Sequence, residues 1–233
     1  MTLIVHHLGV SQSERVVWLC EELGIEYELK KYDRSPVMAP PEFKALHPLG
    51  SAPVIEDGDV TLAESGACVD YILQTRGDGR LTIAPGQKGY PEYLYWFHFA
   101  NGTLQSGLIR NMILSLAGLG EDNEYMKRYL ARQKQVLEFV DKRLSEATWF
   151  AGDKFTAADI MNVCSLTTMR CYMPYDLGPY PNILAYLKRV AARDGWRRAM
   201  RKGDPDLDID KLVGAAPPPL QKGFAAALEA RRR

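Results

Sequence analysis

The chain has 233 residues, of which 46% are hydrophobic, so it can bury one large core or two modest ones. Lysine plus arginine equal aspartate plus glutamate at 29 each, which leaves no global charge to attract nucleic acid or an anionic membrane. No apolar run approaches the ~20 residues of a membrane span. Because the N-terminus lacks the basic flank and long apolar region of a signal peptide, we expect a cytoplasmic protein.

The first part of the chain predicts alternating strands and helices. Leu3–His6 is a short apolar strand candidate, and Tyr27–Lys31 is a second. Between them, apolar residues recur at the spacing of one helix face, and Gly24 is a natural stop for that helix. A short helix over Pro41–Leu46 is expected to follow.

A strand start and a hairpin turn come next. Proline has no backbone N–H and is confined to strand starts and edges, so Pro53 predicts an edge that leaves neighbouring backbone groups free. Asp57-Gly58 favours a tight hairpin turn, which would bring Val60–Ala63 back beside Val54–Glu56.

Glu64-Ser65 then opens an apolar-periodic run that predicts a third helix ending near Arg76. Free N–H groups and the positive end of the helix dipole favour an anion at such a helix start. A ligand with a backbone amide and a carboxylate, such as glutathione, would suit this corner. Alternatively, Ser65 is simply a helix cap. The order βαβα followed by ββα predicts a mixed sheet with helices on its faces.

Residue patterns typical of strands become rare after residue 80, and this change marks the clearest domain boundary. We predict an α/β domain over residues 1–79, a linker over 80–89 and an all-helical domain over 90–214. Residues 215–233 contain three consecutive prolines and a basic end, which favours a mobile tail with one short helical stretch over an element docked on the rest of the chain. The predicted helices of the second domain are Pro91–Leu116, Asp122–Glu146, Ala157–Arg170, Asn182–Ala192 and Gly195–Arg201.

The loop around Ser11 joins the first strand to the first helix, where open α/β sheets bind ligands. A thiol reacts as its thiolate, and lowering its pKa from ~8.5 to ~6.5 requires about 2.7 kcal/mol. One hydrogen bond to a charged group contributes roughly 1.5–3 kcal/mol, so the Ser11 hydroxyl beside a helix N-terminus is sufficient without a general base. Alternatively, Ser11-x-x-Glu14 is a capping box, and Ser13 is a further candidate for the cap.

The remaining polar motifs predict structural roles. Thr156 and Asp159 form a capping box at the start of a helix. Four histidines without ligand-type spacing predict no metal site. The cysteines show no C-x-x-C spacing and lie in apolar surroundings, which favours buried free thiols. These cysteines are Cys20, Cys68, Cys164 and Cys171.

Together these motifs resemble the cytosolic glutathione transferase family along nearly the whole chain. The segment HPLGSAPVIEDGDVTLAES is similar to the family pattern in which N-P-x-G-x-x-P precedes the hairpin and E-S precedes the third helix. Gly152–Asp159 resembles the signature of the helical domain. The resemblance is greatest to a serine-type branch of fungi and bacteria. It implies a thioredoxin-like N-terminal domain followed by an all-helical domain.

The resemblance also implies roles for individual residues. Ser11 would hydrogen-bond the glutathione sulfur. A cis bond before Pro53 would turn the chain so that the Val54 backbone pairs with the cysteinyl unit. Glu64 and Ser65 would hold the γ-glutamyl amine and carboxylate.

The chain departs from the family pattern at the glycyl end of glutathione. His47 replaces the usual asparagine, and Ser51 stands where many members have a lysine that contacts the glycyl carboxylate. That contact is therefore expected from Lys44 or His47, or to be weak. Cys20 lies too deep in the first helix for glutaredoxin-like chemistry, which favours the serine-type interpretation.

The leading hypothesis is a homodimeric glutathione transferase that uses glutathione as co-substrate, requires no metal and attacks an electrophile or a peroxide. The alternatives are a glutathione-dependent disulfide reductase and a non-catalytic glutathione-binding regulatory module. The resemblance places the electrophile site between the domains, where its predicted residues are Asn101, Gln105, Leu108 and Tyr172.

Overall fold

A four-stranded mixed sheet forms the centre of the N-terminal region in the computed structural model, which describes residues 2–232. Its strands lie in the order β2-β1-β3-β4, with β1 parallel to β2 and the other two pairs antiparallel. The strands are β1 (Leu3–Leu8), β2 (Tyr27–Tyr32), β3 (Val54–Asp57) and β4 (Val60–Ala63).

The strand after Pro53 lies inside the sheet. Val54 pairs with His6 of β1 on one side and with Ala63 of β4 on the other, so the predicted strand edge at this position is wrong. Proline is tolerated because it precedes the first residue of the strand. The Ala52–Pro53 peptide bond is cis, as expected.

Three helices accompany the sheet: α1 (Glu14–Leu23), α2 (Pro41–Lys44) and α3 (Ser65–Arg76). The first ends at Gly24, which has a φ of 63°, a backbone conformation that glycine adopts without steric cost. These elements confirm the predicted order of strands and helices and place the β1–α1 loop beyond the carboxyl end of β1.

The rest of the described chain is helical. The predicted helix over 91–116 is interrupted by a π-helical turn, Ala100–Gln105. A 3-10 turn, Thr168–Cys171, follows α7. The helices are α4 (Tyr90–Phe99), α5 (Ser106–Leu116), α6 (Glu124–Glu146), α7 (Ala157–Leu166), α8 (Pro181–Ala191), α9 (Asp194–Gly203), α10 (Ile209–Leu212) and α11 (Lys222–Arg232). None of the helices in the described range is long and apolar enough to cross a membrane.

The predicted capping box at the start of α7 is confirmed. The Thr156 N–H donates to Asp159 Oδ2 at 2.9 Å, and the Thr156 side chain completes the box. Asp159 Oδ1 accepts from the Phe150 N–H at 2.9 Å and from the Tyr186 hydroxyl at 3.2 Å. The buried carboxylate therefore joins three segments of the helical region.

The chain forms two compact units. Among the described residues, the sheet unit combines those up to Thr82 with Val190–Ile209 and those from Pro219 onward. The helical unit contains Ile83–Arg189 and Asp210–Pro218. This division differs from the predicted boundaries, since α9 belongs with the sheet rather than with the other helices.

The segment predicted as a mobile tail contains the helix α11. Phe224 is only 6% exposed, and a Cβ atom on Gly223 would lie 2.1 Å from the Pro36 carbonyl oxygen. The prolines at 217–219 end before this helix begins, so they do not interrupt it. The helix therefore lies against the sheet unit.

Candidate active site

The loop between β1 and α1 is held in a strained conformation. Val10 has a φ of 51°, which is rare for a β-branched residue. Its N–H donates to Asp204 Oδ1 at 2.8 Å, and its carbonyl accepts from Arg34 at 2.9 Å. Arg34 also donates to the Gly9 carbonyl at 2.8 Å. These contacts fix the backbone immediately before Ser11.

The side chains of Ser11 and Ser13 form no capping hydrogen bond to helix α1. Helix α1 begins at Glu14, and its N-cap residue Ser13 makes no side-chain capping hydrogen bond. Instead, Ser11 Oγ donates to the Leu8 carbonyl at 2.7 Å and lies 2.7 Å from Ser13 Oγ. Ser11 Oγ also accepts a hydrogen bond from the Ser13 N–H at 3.2 Å, so the alternative that this hydroxyl bonds a backbone N–H is confirmed, whereas the capping box with Glu14 does not form. The half-buried Ser11 hydroxyl lies in the loop that follows β1.

Gln12 connects the parts of the sequence that predicted a ligand site. Its Nε2 donates to the carbonyl of Ala52, beside the cis peptide bond, at 2.8 Å. Its Oε1 accepts from the Ser65 hydroxyl at 3.3 Å. The Ser11 loop, the Pro53 turn and the start of α3 thus share one side chain. Sequence reasoning missed Gln12, because nothing in its local pattern distinguishes it from an ordinary loop residue.

Arg15 places a buried positive charge beside Ser65. The arginine is fully buried, and its Nη1 donates to Ser65 Oγ at 2.8 Å and to Gln12 Oε1 at 3.1 Å. Ser65 is therefore not the cap of α3, whose N-cap residue is Glu64. The sequence places this arginine among the apolar residues of α1. Because arginine is rarely buried without a partner, that position could have predicted a buried polar contact.

The predicted γ-glutamyl and cysteinyl contacts lie on neighbouring segments. Val54 and Ser65 are fully buried, whereas Glu64 is exposed. Glu64 has a φ of 73°, an uncommon conformation for a residue with a side chain. Backbone strain of this kind is concentrated at ligand sites.

The two candidates for the glycyl contact lie on one loop. Lys44 is exposed, and its Cγ would lie 3.1 Å from a Cβ atom on Gly50. His47 is half-buried, its Nδ1 accepts from the Leu49 N–H at 3.3 Å, and its carbonyl accepts from the Gly50 N–H at 2.8 Å. Both side chains are therefore close to the Gly50 turn that leads to Ser51.

The predicted electrophile-site residues all belong to the helical unit. Gln105 and Leu108 are buried, and Asn101 and Tyr172 are half-buried. Leu108 also lines an open pocket, whose other walls include Arg110, Asn111, Tyr129 and Gln133.

The cysteines are buried and free, as predicted. Burial raises the pKa of the Cys20 thiol and raises that of Cys68 to about 12. Neither thiol therefore supplies a thiolate near neutral pH. Across residues 2–232, histidine, cysteine, aspartate and glutamate form no group of three or more that could hold a metal ion.

A thioredoxin-like sheet unit followed by an all-helical region, with a serine at the end of β1 and an exposed glutamate before α3, defines the architecture of a glutathione transferase. Residues 1–74 match the family model described as glutathione S-transferase, N-terminal domain. Residues 107–194 match the one described as glutathione S-transferase, C-terminal domain.

Individual proteins are similar over most of the chain. A solved glutathione S-transferase from Actinobacillus pleuropneumoniae is 32% identical, with a TM-score of 0.81, over 90% of this chain and 96% of its own. Glutathione S-transferase 3 of Schizosaccharomyces pombe is 29% identical over 93% of this chain and 96% of its own. The Phanerochaete chrysosporium glutathione transferase URE2P8, solved with oxidized glutathione, shares the fold at 24% identity and a TM-score of 0.71, over 88% of this chain and 96% of its own.

The chain therefore belongs to the glutathione transferase family. It is a glutathione transferase, and glutathione is its co-substrate.

Proposed function

We propose that the enzyme belongs to the serine-type branch and that the Ser11 hydroxyl donates a hydrogen bond to the glutathione sulfur. The thiolate then attacks an electrophile or a peroxide. The observation that carries this proposal is the position of Gln12, which bonds both to Ala52 and to Ser65. Ser11 directly precedes Gln12, so it is next in the chain to the residue that joins the two segments proposed to hold the tripeptide.

Each end of glutathione has a proposed partner. Glu64 and Ser65 hold the γ-glutamyl amine and carboxylate, with the charge of Arg15 supporting the carboxylate through Ser65. The Val54 backbone, following Pro53, pairs with the cysteinyl unit.

We assign the glycyl carboxylate to Lys44 or His47, which lie beside the same turn. The exposed ammonium of Lys44 offers a mobile charge, so this end of glutathione is expected to contribute the least affinity.

The buried thiols argue against disulfide reductase chemistry that uses a cysteine of the protein. Such chemistry requires an accessible thiolate, and the pKa values of Cys20 and Cys68 are raised by burial. We therefore favour conjugation or peroxide reduction by the glutathione thiolate itself.

The second substrate is proposed to be a small hydrophobic electrophile or a peroxide, and the active species a homodimer in the cytoplasm. For the electrophile we propose contacts with Asn101, Gln105, Leu108 and Tyr172 of the helical unit. Buried Leu108 supplies apolar surface, and the amides of Asn101 and Gln105 supply hydrogen bonds that can orient a polar substituent.

The proposal is tested by the turnover of an activated aryl halide with glutathione in wild type and Ser11→Ala. If Ser11 lowers the thiol pKa from ~8.5 to ~6.5, its loss reduces the rate about 10-fold near pH 7.5 and about 50-fold near pH 6.5. Ser115→Ala, an exposed serine in α5, is the matched control. Equal rates for Ser11→Ala and wild type at both pH values would remove Ser11 from the mechanism.

A further inference from the structure

A chain of hydrogen-bonded side chains leads from Ser11 into the interior of the sheet unit. Ser11 Oγ lies 2.7 Å from Ser13 Oγ, which lies 2.8 Å from His7 Nδ1. His7 Nε2 lies 3.1 Å from Asp204 Oδ2. Ser13 is fully buried, and His7 and Asp204 are 1% and 7% exposed. The half-buried Ser11 hydroxyl is therefore connected to a carboxylate that is shielded from water.

The partners of His7 determine where its protons lie. A carboxylate only accepts hydrogen bonds, so the neutral imidazole carries its proton on Nε2, facing Asp204. Nδ1 is then an acceptor, and it receives the hydroxyl proton of Ser13. Asp204 is fixed in turn because its other oxygen accepts the Val10 N–H.

The backbone of α9 accommodates the imidazole ring. A Cβ atom on Gly203 would lie 3.0 Å from His7 Nε2, closer than side chains normally approach. The glycine therefore permits the close contact that lets the next residue, Asp204, reach Nε2. Serine, histidine and carboxylate in this order are the arrangement by which triads remove a proton from a nucleophile.

We propose that Ser11, Ser13, His7 and Asp204 form a proton relay in which His7 accepts the thiol proton of bound glutathione. The S–H bond breaks and its proton passes to Ser11 Oγ. The Ser11 hydroxyl turns its own proton from the Leu8 carbonyl toward Ser13, so that the former Ser11 proton moves to Ser13 Oγ. The former Ser13 proton moves to His7 Nδ1. The step ends with a thiolate and an imidazolium paired with Asp204, so charge and protons balance.

The transfer also reverses each hydrogen bond between the sulfur and His7, whereas His7 Nε2 donates to Asp204 before and after it. His7 then donates to Ser13, Ser13 donates to Ser11, and Ser11 donates to the thiolate, so each hydroxyl stabilises the anion. After the sulfur has reacted, the proton returns along the same path and leaves to water through Ser11. This inference rests on the proposed role of Ser11. Stabilisation of the thiolate by the Ser11 hydroxyl needs no base, and the relay adds one.

The test compares two quantities when glutathione binds to the enzyme near pH 7.5, where the free thiol is mostly protonated. Thiolate formation is followed by its ultraviolet absorbance, and proton release by a pH indicator in weak buffer. S-methylglutathione, which lacks the thiol, is the blank. The protons that it releases or takes up on binding come from groups other than the thiol and are subtracted from the count for glutathione. If His7 keeps the proton, the number of protons that the wild type releases is far smaller than the number of thiolates that it forms.

Asp204→Asn is the principal variant. The amide nitrogen that this substitution introduces would donate to His7 Nε2, so Nδ1 would carry the imidazole proton and could not accept another. Because the shape and the hydrogen-bond count are preserved, the variant is expected to fold. We expect its kcat/KM to fall at least about 10-fold, and any remaining thiolate to form with one proton released for each. His6→Gln, on the same strand but bonded to Tyr32, is the matched control and keeps the wild-type proton balance.

The possible outcomes separate this inference from the proposed function. One proton released per thiolate in the wild type overturns the relay and leaves the role of Ser11 intact. No thiolate in the wild type overturns both. A proton balance in Asp204→Asn equal to that of the wild type also overturns the relay, because another group would then hold the proton.

Discussion

Single side chains join parts of the site that are distant in the sequence. Gln12 is 40 residues from Ala52 and 53 residues from Ser65, yet it bonds to both. Arg15 is 50 residues from Ser65 and bonds to its hydroxyl. The proposed glutathione site therefore depends on residues that need not touch the ligand.

Gln12→Met tests this dependence. Methionine keeps the length of the side chain but removes the hydrogen bonds to Ala52 and Ser65, each worth about 1 kcal/mol. We expect the KM for glutathione to rise about 5- to 10-fold, with kcat changed less than about 2-fold. Steady-state kinetics with glutathione as the varied substrate measure both.

Gln74→Met is the matched control, since Gln74 is exposed on α3 and bonds only to Asp70 among the contacts described for it. A KM for Gln12→Met equal to that of the control would contradict the proposed link between the three segments.

At the scale of elements, α9 is attached to α1 by a group of ion pairs. Glu22 accepts two hydrogen bonds from Arg193, each 2.8 Å long, and Glu21 accepts one from Arg198 at 2.9 Å. A Cβ atom on Gly195 would lie 2.6 Å from Glu22 Cδ, so a larger residue there would displace the Glu22 side chain. Since Asp204 directly follows α9, this attachment also positions the proposed relay.

Gly195→Ala is expected to displace Glu22 from Arg193 and lower the free energy of unfolding by about 1–2 kcal/mol. Urea denaturation measures the change. Gly107→Ala in α5 is the control, because a Cβ there meets no atom within 4 Å and is expected to be neutral or to add up to about 1 kcal/mol. Equal changes in the free energy of unfolding for the two substitutions would contradict the expected displacement of Glu22 by the added Cβ.

The capping box of α7 makes stability depend on pH. Burial raises the pKa of Asp159 to about 6 from its ordinary 3.8, against the opposing hydrogen bonds from Phe150, Thr156 and Tyr186. The folded protein thus binds this proton more tightly than the unfolded chain. The free energy of unfolding therefore falls as pH rises from about 4 to about 6, by at most about 3 kcal/mol, and this contribution is constant above that range.

Asp159→Asn removes the titrating carboxyl and places an amide N–H opposite a backbone N–H. The lost hydrogen bond lowers the free energy of unfolding by about 1–3 kcal/mol. We expect the stability difference from wild type to be largest near pH 4 and to narrow toward pH 7. Denaturation at several pH values measures it, with the exposed Asp153→Asn as control. A difference that is constant over this range would contradict the raised pKa.

At the scale of the molecule, the helical unit carries several large hydrophobic side chains on its surface. Tyr95 of α4 and Phe139 of α6 have ring centroids 6.4 Å apart. Contiguous apolar surface marks interfaces, and we propose that a second copy of the chain covers the surface around Tyr95, its chain neighbour Leu94 and Phe139. The exposed large hydrophobic side chains of the helical unit are Leu94, Tyr95, Ile113, Tyr125 and Phe139, which are 42%, 52%, 56%, 58% and 46% exposed.

Leu94→Glu tests the proposed dimer. A charge placed in an apolar interface is costly, so we expect the wild type to scatter light as two chains and the variant as one at low micromolar concentration. Met38→Glu, an equally drastic change at a 64% exposed position of the sheet unit, is expected to remain dimeric. A wild type that is monomeric at every concentration would overturn the proposal.

Local patterns were sufficient for most of the fold. The spacing of apolar residues in α1, the stop at Gly24 and the capping box of α7 act within one or two helical turns, so the sequence predicted them correctly. The hairpin before Ser65 and the cis bond before Pro53 followed from local signals and from the family resemblance.

Long-range packing decided the rest. Pro53 begins an interior strand because β1 pairs with β3, and no pattern near Pro53 specifies that neighbour. Helix α9 joins the sheet unit through charges on α1, and α11 lies against the chain near Pro36. Boundaries drawn from composition therefore miss the division of the helices between the units.

The sequence by itself determined the family, the thioredoxin-like and all-helical architecture, and glutathione as co-substrate, because these depend on motifs of fixed order and spacing. Only the tertiary structure decided what surrounds Ser11. Hydrogen bonds from Ser11 through Ser13 and His7 to Asp204 join residues up to 197 positions apart, and such contacts form only when the chain has folded.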